Sequence, residues 1–232
     1  MIYQNSFQNW IFDLDNTMYD INLGLFKKIS NRITDFIMSK YSLDIDQAKK
    51  IQKEYYLKYG LTLRGLIVEK KLEPEEFLDY VHDVEHPELK KNDQLISKIR
   101  ILEGKKIIFT NATSKHAKKI LKILELEHDF DQIIDIKDLE YIPKPDKRSY
   151  KKLLECLNLN KENLDKTIFF EDTVKNLIPA KELGITTVWM KNSINEKDFI
   201  KNFNFIDYSF NNLNEFLDLS LIHISEPTRL GA

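Results

Sequence analysis

The chain has 232 residues, with 35 Lys and Arg against 37 Asp and Glu and a formal net charge of −2. Only five of the cations are arginine, and no basic arm or aromatic-interleaved basic patch occurs, which argues against a nucleic-acid polymer as partner. A hydrophobic fraction of 42% supports a packed core; a lone cysteine, Cys156, reads as cytoplasmic; no apolar run of membrane-spanning length or amino-terminal leader pattern is seen.

In chain order, Trp10, Ile11 and Phe12 form a short apolar run that predicts a buried strand. From about residue 22 to residue 100 the signals are only helical. Phe26, Ile29, Ile33 and Ile37 keep a helical stripe, and Asp44 is placed to cap a helix that ends at Gly60. Residues 63–70 make a short third helix, and Glu73-Pro74 opens a fourth through Val84. The gap is far longer than a crossover between parallel strands needs, so it reads as an inserted helical subdomain. Its Tyr55, Tyr56, Tyr59, Phe77 and Tyr80, at helical spacings, are expected in its core.

Beyond it come a strand at 106–109, a helix at 114–126, a strand at 132–134, a helix at 149–157 and a strand at 167–170. A further helix with Pro179 in its first turn and a stop at Gly184 precedes the last strand, 187–190. Alternating strands and helices imply an α/β fold with a parallel sheet. The expected division is a core of residues 1–21 and 92–219 with an inserted subdomain at 22–91. The stretch from Leu219 to Arg229, LSLIHISEPTR, resembles the translation of a sequencing-library adapter, so residues 220–232 are expected to be a non-native tail.

Four places along this frame suit chemistry. Asp13 and Asp15 stand two residues apart at the carboxyl end of the first strand, the edge where open α/β folds bind ligands, and two carboxylates there invite a cation. Thr110 and Asn111 end the second strand just before a helix amino terminus, whose N–H groups and dipole favour an anion; capping of that helix by Thr110 and Ser114 is the plainer alternative. Glu171 and Asp172 end the fourth strand, where unpaired buried charge is costly, unless they belong to a solvated loop. Lys144 sits between Pro143 and Pro145, whose rings restrict the backbone and suit a fixed positive charge facing phosphate.

Together, Phe12-Asp13-Leu14-Asp15-Asn16-Thr17, Phe109-Thr110-Asn111, Pro143-Lys144-Pro145 and Phe170-Glu171-Asp172 resemble, in order and spacing, the four motifs of the haloacid dehalogenase-like hydrolase superfamily. The chain is further similar to its pyrimidine 5'-nucleotidase branch, through residues 59–66, 80–83 and 170–177. The resemblance implies a Rossmann-like parallel sheet core with an all-helical cap, and a phosphatase with Asp13 as nucleophile and Asp15 as general acid and base. It implies Mg²⁺ held by Asp13, Asp15 and Asp172, with Glu171 acting through a bound water. Thr110, Asn111 and Lys144 would hold the phosphoryl group of a small phosphorylated substrate, a nucleotide first; Tyr19, Arg64 and His82 would touch it from the cap side. Two departures stand out: Ala112 replaces a commoner glycine, and Asn176 stands where many members carry a second acid. A dehalogenase is disfavoured because that chemistry does not retain Asp15. A phosphatase or phosphomutase for phosphoglycolate or sugar phosphates, and a non-catalytic phospholigand sensor, are the alternatives.

Overall fold

The structure, a computed structural model, describes residues 7–191 and 204–222, with side-chain detail ending at residue 218. Five strands fall where the apolar runs predict them: β1 (Asn9–Phe12), β2 (Lys105–Phe109), β3 (Gln132–Ile134), β4 (Thr167–Glu171) and β5 (Thr186–Met190). A sixth, β6 (Tyr208–Phe210), pairs with β5 and escapes sequence reading because three residues, none of them buried, carry no recognisable period. The sheet runs β3-β2-β1-β4-β5-β6, every pair parallel, so β1 and β4 lie side by side at its centre. Their carboxyl ends carry Asp13 and Asp172.

Four helices fill the segment between β1 and the next core helix: α1 (Leu25–Tyr41), α2 (Ile45–Tyr59), α3 (Thr62–Lys70) and α4 (Pro74–Val81). Asp44 opens α2 with a capping box, accepting from Gln47 N at 2.8 Å while Asp44 N donates to Gln47 Oε1 at 3.2 Å. Gly60 closes α2 at φ +78°, a left-handed conformation that costs glycine nothing. Phe36, Ile37, Leu63, Leu66, Phe77 and Leu78 build a core of their own, joined by Ile136 from beyond β3. One stripe does not describe α1, because Leu25 and Ile29 turn to the sheet-side core while Phe36 and Ile37 turn to the helical one, leaving Phe26 51% exposed. Phe77 is buried as expected, but Tyr56 and Tyr80 are 49% and 37% exposed.

The core helices are α5 (Asp93–Arg100), α6 (Ser114–Ile123), α7 (Lys147–Leu157), α8 (Val174–Glu182) and α9 (Leu213–Ile222). Strand alternation sends Trp10, Phe12, Ile168, Phe170 and Val188 to one face, against α5, α6 and α9. It sends Ile11, Phe109, Phe169 and Trp189 to the other, against α7 and α8. Burial on both faces explains why the central strands read as unbroken apolar runs. Several boundaries differ from expectation: α6 stops at Ile123 rather than at residue 126, and α7 begins at Lys147 rather than at residue 149. Pro179 lies inside α8 rather than in its first turn, because the chain enters the helix directly after the Asp172 loop, five residues earlier. Helix α4 stops at Val81, with His82 as its cap, instead of reaching Val84. The backbone of α9 continues three residues past Leu219; residues 223–232 of the expected non-native tail lie outside the described residues. Among the described residues no helix is long and apolar enough to cross a membrane.

Candidate active site

At the end of β1, Asp13 N donates to Phe170 O at 2.9 Å, so the central pairing reaches the first motif residue. The chain then turns through Asn16, at φ 63°, and brings Thr17 back so that its hydroxyl donates to Asp13 Oδ2 at 3.2 Å. Asp13 is 7% exposed. Beside it, Glu171 and Asp172 from the end of β4 are also buried, and one carboxylate oxygen from each of the three lies within 4.8 Å of the other two. Burial and the neighbouring Glu171 push Asp13 up to about 7, Lys144 opposing. Burial, Glu171 and Asp13 likewise hold Asp172 well above the carboxylate range.

Lys144 enters this cluster from the Pro143-Lys144-Pro145 loop, 1% exposed. Its Nζ donates to Asp13 Oδ1 at 2.7 Å, Glu171 Oε2 at 2.8 Å and Phe109 O at 2.7 Å. Burial works against its charge, but Asp13 and Glu171 outweigh that and raise its pKa. Asn111 clasps the loop backbone, accepting from Lys144 N at 2.9 Å and donating from Nδ2 to Lys144 O at 3.2 Å. From the cap side, a Cβ at Gly60 would stand 3.3 Å from Lys144 O and from Pro145 Cδ, so the end of α2 rests on the same loop.

The second strand's motif is divided between support and site. Thr110 is buried and its hydroxyl oxygen accepts from Ala112 N at 3.0 Å. Helix α6 is capped by Thr113, whose Oγ1 accepts from His116 N at 3.2 Å, while Ser114 N donates to Asp135 Oδ2 at 2.6 Å. Amides of that helix start are thereby partly committed within the protein. Asn176 is buried in the first turn of α8, and its carbonyl accepts from the Tyr150 hydroxyl.

Asp15 stands apart from the acidic trio. Tyr19 OH donates to its Oδ1 at 2.6 Å, and His116 Nε2 lies 3.0 Å from the same oxygen. Burial raises the Asp15 pKa, yet His116 and Tyr19 prevail and hold it at about 2. Tyr19, expected to face substrate, is 8% exposed with its hydroxyl engaged on Asp15. His82 lies over the His116 ring at 4.7 Å with its Nδ1 3.3 Å from Thr113 Oγ1, and burial depresses it to about 3. Arg64 is half-buried on α3, close enough to help lower the Asp146 pKa. His116, His86 and Tyr56 are neighbours that sequence reasoning missed. A histidine one turn beyond the Thr-Asn pair was the available signal for His116. Tyr56 was hidden among four other aromatics; the carboxylates of Asp172 and Glu171, after burial, raise its phenol pKa.

Three buried carboxylates facing one another leave charge that Lys144 offsets only in part, and hard oxygen donors of this kind suit Mg²⁺. The site therefore combines acids at the central carboxyl edge of a parallel sheet, a buried lysine bridging two of them and a helical insertion after β1. The chain belongs to the haloacid dehalogenase-like hydrolase family, which matches residues 10–190. It is similar to Phosphate metabolism protein 8 of Saccharomyces cerevisiae, 27% identical over 195 residues, 76% of this chain and 59% of that protein, so it spans less than two thirds of that relative. It is similar also to Pyrophosphatase PpaX of Halalkalibacterium halodurans, 24% identical over 90% of this chain and 94% of that one. Among solved structures, putative HAD-hydrolase YfnB of Bacillus subtilis, bound to magnesium, shares the fold at a TM-score of 0.60 and 17% identity, covering 92% of this chain and 98% of that chain.

Proposed function

We propose that the chain is a Mg²⁺-dependent phosphomonoesterase working through an aspartyl phosphate, with nucleoside 5'-monophosphates as substrates, pyrimidines first. The observation that carries this reading is the Lys144 ammonium bridging Asp13 and Glu171 beside Asp172. In the proposed reaction an Asp13 carboxylate oxygen attacks phosphorus as the bond to the ester oxygen breaks. Asp15 gives its proton to the departing alkoxide, then takes one from the water that attacks the aspartyl phosphate, releasing phosphate and restoring Asp13. An acid held at about 2 rests ionised; the negative phosphate brought beside it raises its pKa by like charge, and Asp15 takes the proton it will donate from solvent as substrate binds, returning one to solvent when phosphate leaves. Thr110, the N–H of Asn111 and Lys144, which exchanges one of its three present acceptors for substrate, hold the phosphoryl oxygens as charge develops on them. Asp13, Asp172 and the carbonyl of Asp15 would hold Mg²⁺, with Glu171 nearby, and a bound cation there would offset negative charge on the phosphoryl group.

Residues 22–91 act as the cap in this reading and residues 1–21 with 92–219 as the core. Tyr56, half-exposed near the end of α2 and within electrostatic reach of Asp172 and Glu171, adds an aromatic face beside the leaving group. Arg64 and His82 are the polar cap residues proposed with it. A phosphate-release panel at fixed Mg²⁺ tests the substrate, with UMP and CMP expected above AMP and GMP by about 5- to 150-fold in kcat/KM, the worth of one good hydrogen-bond set. All four should exceed phosphoglycolate and hexose phosphates, and a chelator should abolish release. Inorganic pyrophosphate belongs in the panel because a relative named a pyrophosphatase aligns over nearly its full length. A higher kcat/KM for pyrophosphate, phosphoglycolate or a hexose phosphate than for any nucleotide would overturn the nucleotidase reading. No release from any of them would overturn the phosphatase reading.

A further inference from the structure

Asp15 is held by two donors on one of its oxygens. Tyr19 OH reaches Oδ1 at 2.6 Å from four residues along the chain, whereas His116 Nε2 reaches it at 3.0 Å across 101 residues. An ionised carboxylate only accepts, so in this pair Nε2 carries the proton. Neither contact takes Oδ2. The His116 ring is 1% exposed, and its Nδ1 is buried with no hydrogen-bond partner, a costly placement that packing alone would fill better with an apolar ring. It is nevertheless held by its backbone and by two flanking rings. Its backbone N is held by Thr113, the His82 ring stacks on it at 24°, and the His86 ring meets it edge-on at 5.8 Å. Both bracing histidines follow α4, so the helical insertion supplies the wall against which His116 stands.

We propose that His116 is a positioning residue for the proton-transfer step: it and Tyr19 lock Asp15 through Oδ1 and leave Oδ2 to exchange the proton with the ester oxygen. The inference rests on the phosphatase reading above and adds a residue to it. In the step itself the proton passes from Asp15 Oδ2 to the leaving oxygen as the P–O bond breaks, while the bonds at Oδ1 stay in place. His82 and His86, by bracing the ring, tie the orientation of Asp15 to the seating of the insertion.

The test is leaving-group dependence. With Mg²⁺ present, kcat/KM is measured for a nitrophenyl phosphate, whose leaving group needs little protonation, and for a primary alkyl phosphate, whose leaving group needs it fully. His116→Asn, which ends short of Asp15, and His116→Phe, which keeps the ring stack without a donor, should each lose about 10²-fold more on the alkyl ester than on the aryl ester. His116→Gln, whose amide nitrogen reaches near the Nε2 position, should recover most of that difference. Tyr19→Phe should show the same selective loss in smaller measure. Equal losses on both esters in a variant that keeps the wild-type melting temperature, or failure of the glutamine variant to recover any selectivity, would overturn the positioning role while leaving the phosphatase standing. A wild type that hydrolyses neither ester would remove the phosphatase reading itself, and this inference with it.

Discussion

Burial and neighbouring charge compete at each titratable side chain of the site, and the stronger of the two sets the direction in which its pKa departs. Buried Asp13 is pushed up by burial and Glu171, whereas Asp15, half-buried two residues along, is pulled down because His116 and Tyr19 outweigh desolvation. His86 gives the cleanest test of such effects on stability. It is 5% exposed, and burial, followed by His116 and Lys119, depresses its pKa from 6.5 to about 4, with Glu88 and Asp15 opposing. Between those values the unfolded chain binds a proton that the folded one refuses, so the contribution is complete above pH 6.5 and drains away as pH falls towards 4. Asp13 acts in the opposite sense over part of that range, which makes a difference measurement necessary. His86→Phe should therefore gain on wild type by on the order of 1 kcal/mol between pH 7.5 and pH 5. Parallel melting-temperature profiles for the two proteins would show that His86 titrates normally in the fold.

The helices of the insertion show how a local signal and a tertiary demand combine. The capping box at Asp44 and the left-handed Gly60 mark the ends of α2 where the sequence predicts them. Gly65 is different, since it lies inside α3, where alanine has the better intrinsic propensity by about 1 kcal/mol. A Cβ there would meet Tyr55 Cβ and Cγ at 2.4 Å, atoms too close to the α2 backbone to swing away. Overpacking of this kind costs about 1 to 3 kcal/mol or more, so strain should win. Gly65→Ala is expected to lower the melting temperature by several degrees, with about 2 to 4 °C lost per kcal/mol in a chain of this size. A rise would show that α2 and α3 separate readily and that the glycine is not needed for their approach.

At the scale of the whole molecule, the carboxyl-terminal stretch sets the first question. Residues through 218 matter to packing, because Leu213, Phe216 and Leu217 are buried against the sheet. Adapter-like sequence has no history of selected contacts, so removing residues 223–232 should leave melting temperature within about 1 °C and activity unchanged. A loss of several degrees would mean that the segment packs. Five strand positions, the parallel sheet and the four helices between Leu25 and Val81 were legible in the sequence because period, caps and apolar runs depend on residues a few places apart. The four motifs were legible for the same reason, each being a short string at a strand or loop boundary. Other features follow from convergence. Lys144 meets Asp13 across 131 residues and His116 meets Asp15 across 101, distances in sequence over which no local pattern carries information. The sheet order sets β1 between β2 and β4, and so brings the ends of three strands and the start of α6 to one edge. Which buried histidine faces a carboxylate, which tyrosine is exposed beside the site, and that β6 extends the sheet were decided there. Each depends on long-range packing that only the folded chain supplies.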